Sequence, residues 1–142
     1  MSDHQSAAYG TFLLRASLGL MFLAHAALKI VVFTPTGTAQ FFVSLGLPAA
    51  LAYVTILAEL GGGALLLAGI LTRWTALALV PVLLGAIIFD HGANGWVFSN
   101  PGGGWEFPAF WAVALVVQAL LGDGAFALSP AAFAREPVRV PG

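Results

Sequence analysis

The stretch AALAYVTILAELGGGALLLAGIL, residues 49–71, decides the fold. It is an apolar run with a single charged residue, Glu59, near its middle. A helix of roughly 20 residues covers a hydrocarbon core about 30 Å thick. A carboxylate at that depth is expensive unless it is neutralised, paired or wetted, which makes it a candidate for function. Working outward, similar runs recur at residues 9–33, with His25 and Lys29 in the outer half, and at about 74–91 and 106–122. The expected fold is all-α: an integral membrane four-helix bundle over residues 1–128, followed by a Pro-containing tail over 129–142. The third and fourth runs reach across only if their flanks enter the interface.

Composition agrees. Sixty per cent of the residues are hydrophobic, 8% are charged and the mean hydropathy is +0.96, which places the chain with membrane proteins. A net charge of −1 with five Lys plus Arg leaves no basic face for nucleic acid. The sequence holds no Cys, so it offers neither disulfides nor thiolate ligands for an iron–sulfur cluster. Ala24-His25-Ala26 looks like a small-residue cleavage site, yet Met1 to Gly10 carry Asp3 and no Lys or Arg, and the apolar run continues to Phe33. The expectation is a retained span rather than a signal peptide.

Charge placement orients the bundle. Arg15, Arg73, Arg135 and Arg139 fall on one side and Lys29 on the other, so the positive-inside rule predicts cytoplasmic termini. Small residues at helical spacing suggest close packing faces: Thr55, Glu59, Gly62, Leu66, Gly69 and Arg73 on the second span, Arg15, Gly19, Phe22, Ala26 and Lys29 on the first, Pro81 and Gly85 on the third. Gln118 is expected to bond between helices. Residues 34–46 read as a partly amphipathic segment on the outer interface.

His25 and Lys29 are four apart and share a helical face. Counted from the outer end of each helix, His25 and Glu59 come to similar depths. A Glu59–His25 or a Glu59–Lys29 contact between the first two spans is therefore available, and the spacing predicts that His25 and Glu59 approach each other, with Lys29 one turn outward and Arg15 apart, near the cytoplasmic end. His25, Lys29 and Glu59 would then hold a proton or hydrogen-bond a quinone carbonyl; alternatively Glu59 is only a packing tether. Asp90, His91 and Glu106 lie on the same outer side, and a wider pocket would take His25, Glu59, His91 and Glu106 to a bound cofactor. Two His with carboxylates suit Zn, Fe or Mn, but no HExxH or other close ligand spacing supports them, so no metal is expected. The simpler reading makes Asp90, His91 and Glu106 helix caps at the water boundary. The Gly-rich loop 92–105 matches no phosphate-binding pattern, and Trp96, Trp105 and Trp74 fit interfacial aromatic belts.

The chain resembles the DoxX family of small four-span membrane proteins. The resemblance is carried by Leu14-Arg15, Leu18-Gly19, Phe22-Leu23 with His25 and Lys29, Phe41-Phe42, Leu45-Gly46-Leu47-Pro48, Glu59-Leu60-Gly61-Gly62, Leu71-Thr72-Arg73, His91, Glu106-Phe107-Pro108 and Gly122-Asp123-Gly124. Ala26 follows His25 where that family usually offers glycine. The resemblance implies a multi-pass bundle in the bacterial inner membrane. The family takes its name from a subunit associated with thiosulfate:quinone oxidoreductase. Other members belong to oxidative-stress assemblies or have no assigned activity, and one fold hosts several functions.

Two function classes follow. One is a quinone-linked oxidoreductase component, whose electron donor a partner redox protein supplies. The other is a non-enzymatic scaffold or assembly subunit for such a partner. A proton or solute carrier would require a homo-oligomer, because four spans are few for a pathway.

Overall fold

The computed structural model describes residues 1–129, and these are helical wherever they are regular. The tail expected over 129–142, with Arg135 and Arg139, lies outside the described residues except for Ser129.

Helix α1 runs Asp3–Ala27 and continues through a π-helical turn, Leu28–Val32. Ser2 starts it with a reciprocal capping box: its hydroxyl accepts from Gln5 N–H, and the Gln5 side chain accepts from Ser2 N–H. Helix α2 is Pro35–Ser44, with Pro at its first position and the Thr34 hydroxyl accepting from Gly37 N–H at 3.1 Å. Helix α3 is Ala49–Ala68, ended by Gly69 in the left-handed region. A tight turn leads into α4, Thr72–Ala86, which continues as a π-helical turn, Ile87–His91, and a 3₁₀ turn, Gly92–Asn94. Helix α5 is Glu106–Leu121.

Three of these stretches are long and apolar enough to cross a membrane: Asp3–Val32, Ala49–Ala68 and Thr72–Asn94. Helix α5 has 16 residues, about 24 Å, and falls short of a full hydrocarbon core on its own. Residues 34–46, expected as a partly amphipathic segment, form the helix α2, which packs on α3.

The long helices alternate in direction. Helix α1 packs chiefly on α3 and α4 on α5, while α3–α4 and α1–α5 contacts close the bundle. The core is built from Leu18 and Phe22 of α1, Leu66 of α3, Ala76, Leu79 and Leu83 of α4, and Trp111 and Leu115 of α5. Leu13, Leu57, Ile88, Phe110 and Leu120 point outward instead. Large apolar side chains on every outer face match a lipid surround, where backbone groups are satisfied within each helix.

The α1 and α3 packing faces fall where the small-residue spacing predicts, with one shift. Gly63, rather than Gly62, meets Gly19: a Cβ on Gly63 would lie 2.9 Å from Gly19 O, and one on Gly19 would lie 2.9 Å from Gly63 O. Gly62 faces Leu79 of α4. The stripe expected on α4 is not its packing face. Pro81 is exposed and Gly85 has nothing within 4 Å of a built Cβ, whereas Thr72, Thr75, Ala76, Leu79 and Leu83 are buried.

Gln118 is fully buried but bonds within its own chain end, donating to Gly122 O at 2.8 Å, not to another helix. Beyond α5 the chain folds back over the end of the bundle. Ala125 N–H donates to Ala8 O and Leu128 N–H to Ala68 O, and Phe126 packs on Tyr9 and Phe12.

Candidate functional site

The polar interior forms two groups, one at each end of the bundle. At the end shared by the start of α1 and the close of α3 lies Arg15, with no exposed surface. Its Nη1 donates to Leu66 O at 2.7 Å and to Leu67 O at 2.9 Å, its Nε to Asp123 O at 2.8 Å, and its Nη2 to Ala125 O at 2.8 Å. Leu66 and Leu67 lie in the last turn of α3, where carbonyls are short of helical donors and the helix dipole favours a cation; Leu66 O also accepts from Gly69 N–H at 3.1 Å. Arg15 therefore caps α3 from a neighbouring helix and pins the segment after α5. The sequence places Arg15 on the α1 packing face near the cytoplasmic end, and the side chain is buried on that face; its carbonyl partners are what the spacing does not give. Its position well inside an apolar run, and not at the edge, was the available signal.

At the other end, Lys29 sits in the π-helical turn of α1 and Glu59 in the buried face of α3. Lys29 Nζ donates to Glu59 Oε1 at 3.0 Å and lies 2.9 Å from Oε2. The second contact is an ion contact whose angle makes no hydrogen bond, so Oε2 keeps acceptor capacity. The pair is unevenly buried: the Lys29 side chain is 18% exposed and that of Glu59 5%. Helix α2 adjoins it, with the Thr38 hydroxyl donating to Lys29 O at 3.2 Å or Thr34 O at 2.9 Å.

Glu59 points inward, as its cost in lipid requires, but its partner is Lys29. Among the described residues no hydrogen bond or ion pair joins His25 to Glu59. The helices run antiparallel and Lys29 extends a long stem, so a full positive charge reaches the carboxylate ahead of the imidazole. His25 turns to α5, where its ring meets Trp111 edge-on, with centroids 4.8 Å apart. Phe22 and Phe107 also pack on Trp111, at 4.7 and 5.9 Å. Trp111 is itself only 5% exposed, and its indole N–H has no hydrogen-bond partner among the described residues. The sequence reading did not single out Trp111; an isolated Trp within an apolar run resembles any core aromatic.

Among the described residues no hydrogen bond or ion pair joins His91 or Glu106 to His25, Lys29 or Glu59. His91 Nδ1 is 3.0 Å from Gly103 O, and its Nε2 is 3.5 Å from Asp90 Oδ2. Asn94 reinforces this junction by donating to Gly103 O, so His91 ties the loop to the end of α4. Glu106 opens α5 and lines an open groove of about 560 Å³ with Trp96, Phe98, Phe107 and Phe110. A second cavity, about 260 Å³, lies between α4 and α5 near Arg73 and Trp74, away from these acids and imidazoles. Among the described residues no group of three or more His, Cys, Asp or Glu could hold a metal ion.

An apolar helical bundle with an acid–base pair inside its wall defines a multi-pass membrane protein. Its residues 10–92, more than half of the chain, match the DoxX family, and the protein belongs to that family. The match runs from α1 to the end of the π-helical turn after α4, and so includes Arg15, His25, Lys29, Glu59 and His91. A relative in Bacillus subtilis (strain 168), named "Putative oxidoreductase CatD", is 43% identical over 79 residues, which is 56% of this chain and 58% of the relative. The chain thus aligns with little more than half the length of that relative. No solved structure matches the chain.

Proposed function

We propose that this protein is the membrane component of a quinone-linked oxidoreductase, with Lys29 and Glu59 as its proton-holding site. The observation that carries the reading is the buried ion pair itself, with contacts of 2.9 and 3.0 Å across α1 and α3. Ionisable side chains inside a membrane segment mark proton and substrate paths more often than they serve packing. The name of the Bacillus relative points to the same class of chemistry.

The donor set fits a quinone headgroup. Lys29 has N–H donors beyond those given to Glu59, and Oε2 of Glu59 retains acceptor capacity while buried. A bound quinone would supply the electron-accepting ring. Lys29 would orient a ring oxygen, and Glu59 would hold or release the accompanying proton at Oε2. With no Cys in the sequence, a partner redox protein supplies the electrons.

In this reading the chain crosses the bacterial inner membrane four times, with both termini cytoplasmic. Helix α5 completes its crossing with the flanking loop and the segment after Leu121. Reporter fusions at residue 142 and in the loop at residue 99 test this, and an exported C-terminus would reverse the orientation.

A scaffold reading has one observation in its favour: the Lys29–Glu59 pair closes on itself and would tether α1 to α3 without any ligand. Purification in mild detergent, followed by lipid extraction and identification of co-purifying proteins, separates the two. Bound quinone and lost turnover in Glu59→Gln, with the complex still assembled, support the redox reading. No quinone, no thermal stabilisation by added quinone and full turnover in Glu59→Gln leave the scaffold.

A further inference from the structure

The buried indole of Trp111 is not used by the pair just described, and it lies on α5, beyond the residues that match the family. Among the described residues its N–H has no partner, although the residue is 5% exposed. A buried Trp N–H normally finds an acceptor, and in hydrocarbon no bulk water is available to serve. The walls around it are flat rings: Phe22 at 4.7 Å, His25 at 4.8 Å and Phe107 at 5.9 Å. Phe107 also lines the open groove of about 560 Å³ beside Glu106, so the half-exposed ring that packs on Trp111 also borders that space. On the α1 side, His25 is one helical turn from Lys29, a second source of N–H donors.

We propose that Trp111 is a ligand-binding residue whose indole N–H donates to a carbonyl oxygen of a planar, carbonyl-bearing ring admitted past Phe107. The proposal rests on the quinone reading and assigns that site a second anchor. Two donors on different helices, Trp111 on α5 and Lys29 on α1, suit a ring that carries acceptor oxygens on two edges. Phe22 and Phe107 supply faces for the ring to pack against, and His25 holds the indole plane from the side. A purely hydrocarbon ligand gains nothing from the indole N–H, so the subsite selects for the carbonyl.

The test uses the full chain in mild detergent with two probes, a short-chain alkyl benzoquinone and an alkyl benzene lacking carbonyls. Binding is read as Kd by calorimetry. Trp111→Phe keeps the ring contacts and removes the donor; Trp105→Phe is the control. The expected result is benzoquinone binding about tenfold weaker in Trp111→Phe and within about twofold of wild type in Trp105→Phe. The alkyl benzene should bind both variants as it binds wild type. The second measurement is ultraviolet resonance Raman of the indole N–H in a W74F/W96F/W105F chain, where Trp111 alone reports. Its hydrogen-bond marker should shift on adding the benzoquinone.

Wild type that binds the benzoquinone while Trp111→Phe binds equally well overturns the role of Trp111 and leaves the quinone reading standing. Wild type that binds no benzoquinone overturns both. If Trp111→Phe does not fold, the Raman measurement decides, and an unchanged indole signal at saturating benzoquinone overturns the proposal.

Discussion

Removing either partner of the Lys29–Glu59 pair should not cost the same. Lys29→Met leaves a carboxylate that is 5% exposed with no other ion-pair partner among the described residues, whereas Glu59→Gln leaves an ammonium that is 18% exposed on a flexible stem. That stem can carry its charge toward the interface; the short Glu59 side chain, in the buried face of α3, cannot follow. Breaking a buried pair from one side costs about 3–5 kcal/mol. The Lys29→Met loss should therefore be about 3 kcal/mol, and the Glu59→Gln loss about 1–2 kcal/mol after relief by the interface. The double variant buries no charge at this position, so its loss should fall below the sum of the single losses by about 2 kcal/mol. Unfolding in mixed micelles of mild and denaturing detergent, followed by helical circular dichroism, gives all three values. Additivity within about 0.5 kcal/mol, or a Glu59→Gln variant weaker than Lys29→Met, would refute the buried-pair argument.

Three further outcomes follow from the packing. Arg15→Met should leave the carbonyls of Leu66, Leu67, Asp123 and Ala125 short of a donor and cost more than about 4 kcal/mol, while Arg15→Lys, with fewer donors in a looser geometry, should lose about half as much; folded yield by size exclusion and detergent unfolding check the order. Gly63→Ala should push α1 off α3 at a cost of about 1–3 kcal/mol, because its Cβ would meet backbone at 2.9 Å, whereas Gly61→Ala has open space and should be neutral or stabilising by up to about 1 kcal/mol in the same assay. Leu71 is held at φ 50° and is mostly exposed, so Leu71→Asn should raise stability by about 0.5–1 kcal/mol, measured as a higher unfolding midpoint.

The long helices were legible because their apolar runs have few other structures open to them. Residues 49–71 read as a span, and the helix runs Ala49–Ala68. The last residues differ because Gly69 and Leu71 take left-handed backbone, which ends one helix and allows the next to begin at Thr72. Composition could not show this at Leu71, a residue that seldom adopts such a φ. The α1–α3 face was legible from small residues at helical spacing, but spacing alone does not distinguish Gly62 from Gly63 on adjacent sides of a helix. Depth arithmetic brought Glu59 to the right level and face. It left His25 and Lys29 both open as partners because depth ignores reach, and the long Lys29 stem is the one that makes the contact. Trp111 and the carbonyl contacts of Arg15 were not legible, since each depends on which helix lies alongside.

The division of polar groups between the two ends of the bundle bears on where function lies. At the Arg15 end, four carbonyl bonds and two backbone bonds join α1, α3 and the segment after α5, whose start is held by the Gln118 contact. Such a cross-linked end opens only at high cost. At the other end both α1 and α4 loosen into π-helical turns, and neither turn contains a buried residue. Lys29 lies in the first, and Asp90 and His91 in the second. A π-helical turn leaves main-chain bonding less regular and re-aims the side chains it carries, which is why such turns gather at functional sites. The bundle is thus held rigid at one end and leaves polar side chains on adaptable backbone at the other. Ligand entry at the Lys29 end would disturb only local structure, whereas entry beside Arg15 would have to break the contacts that fix the helices to one another.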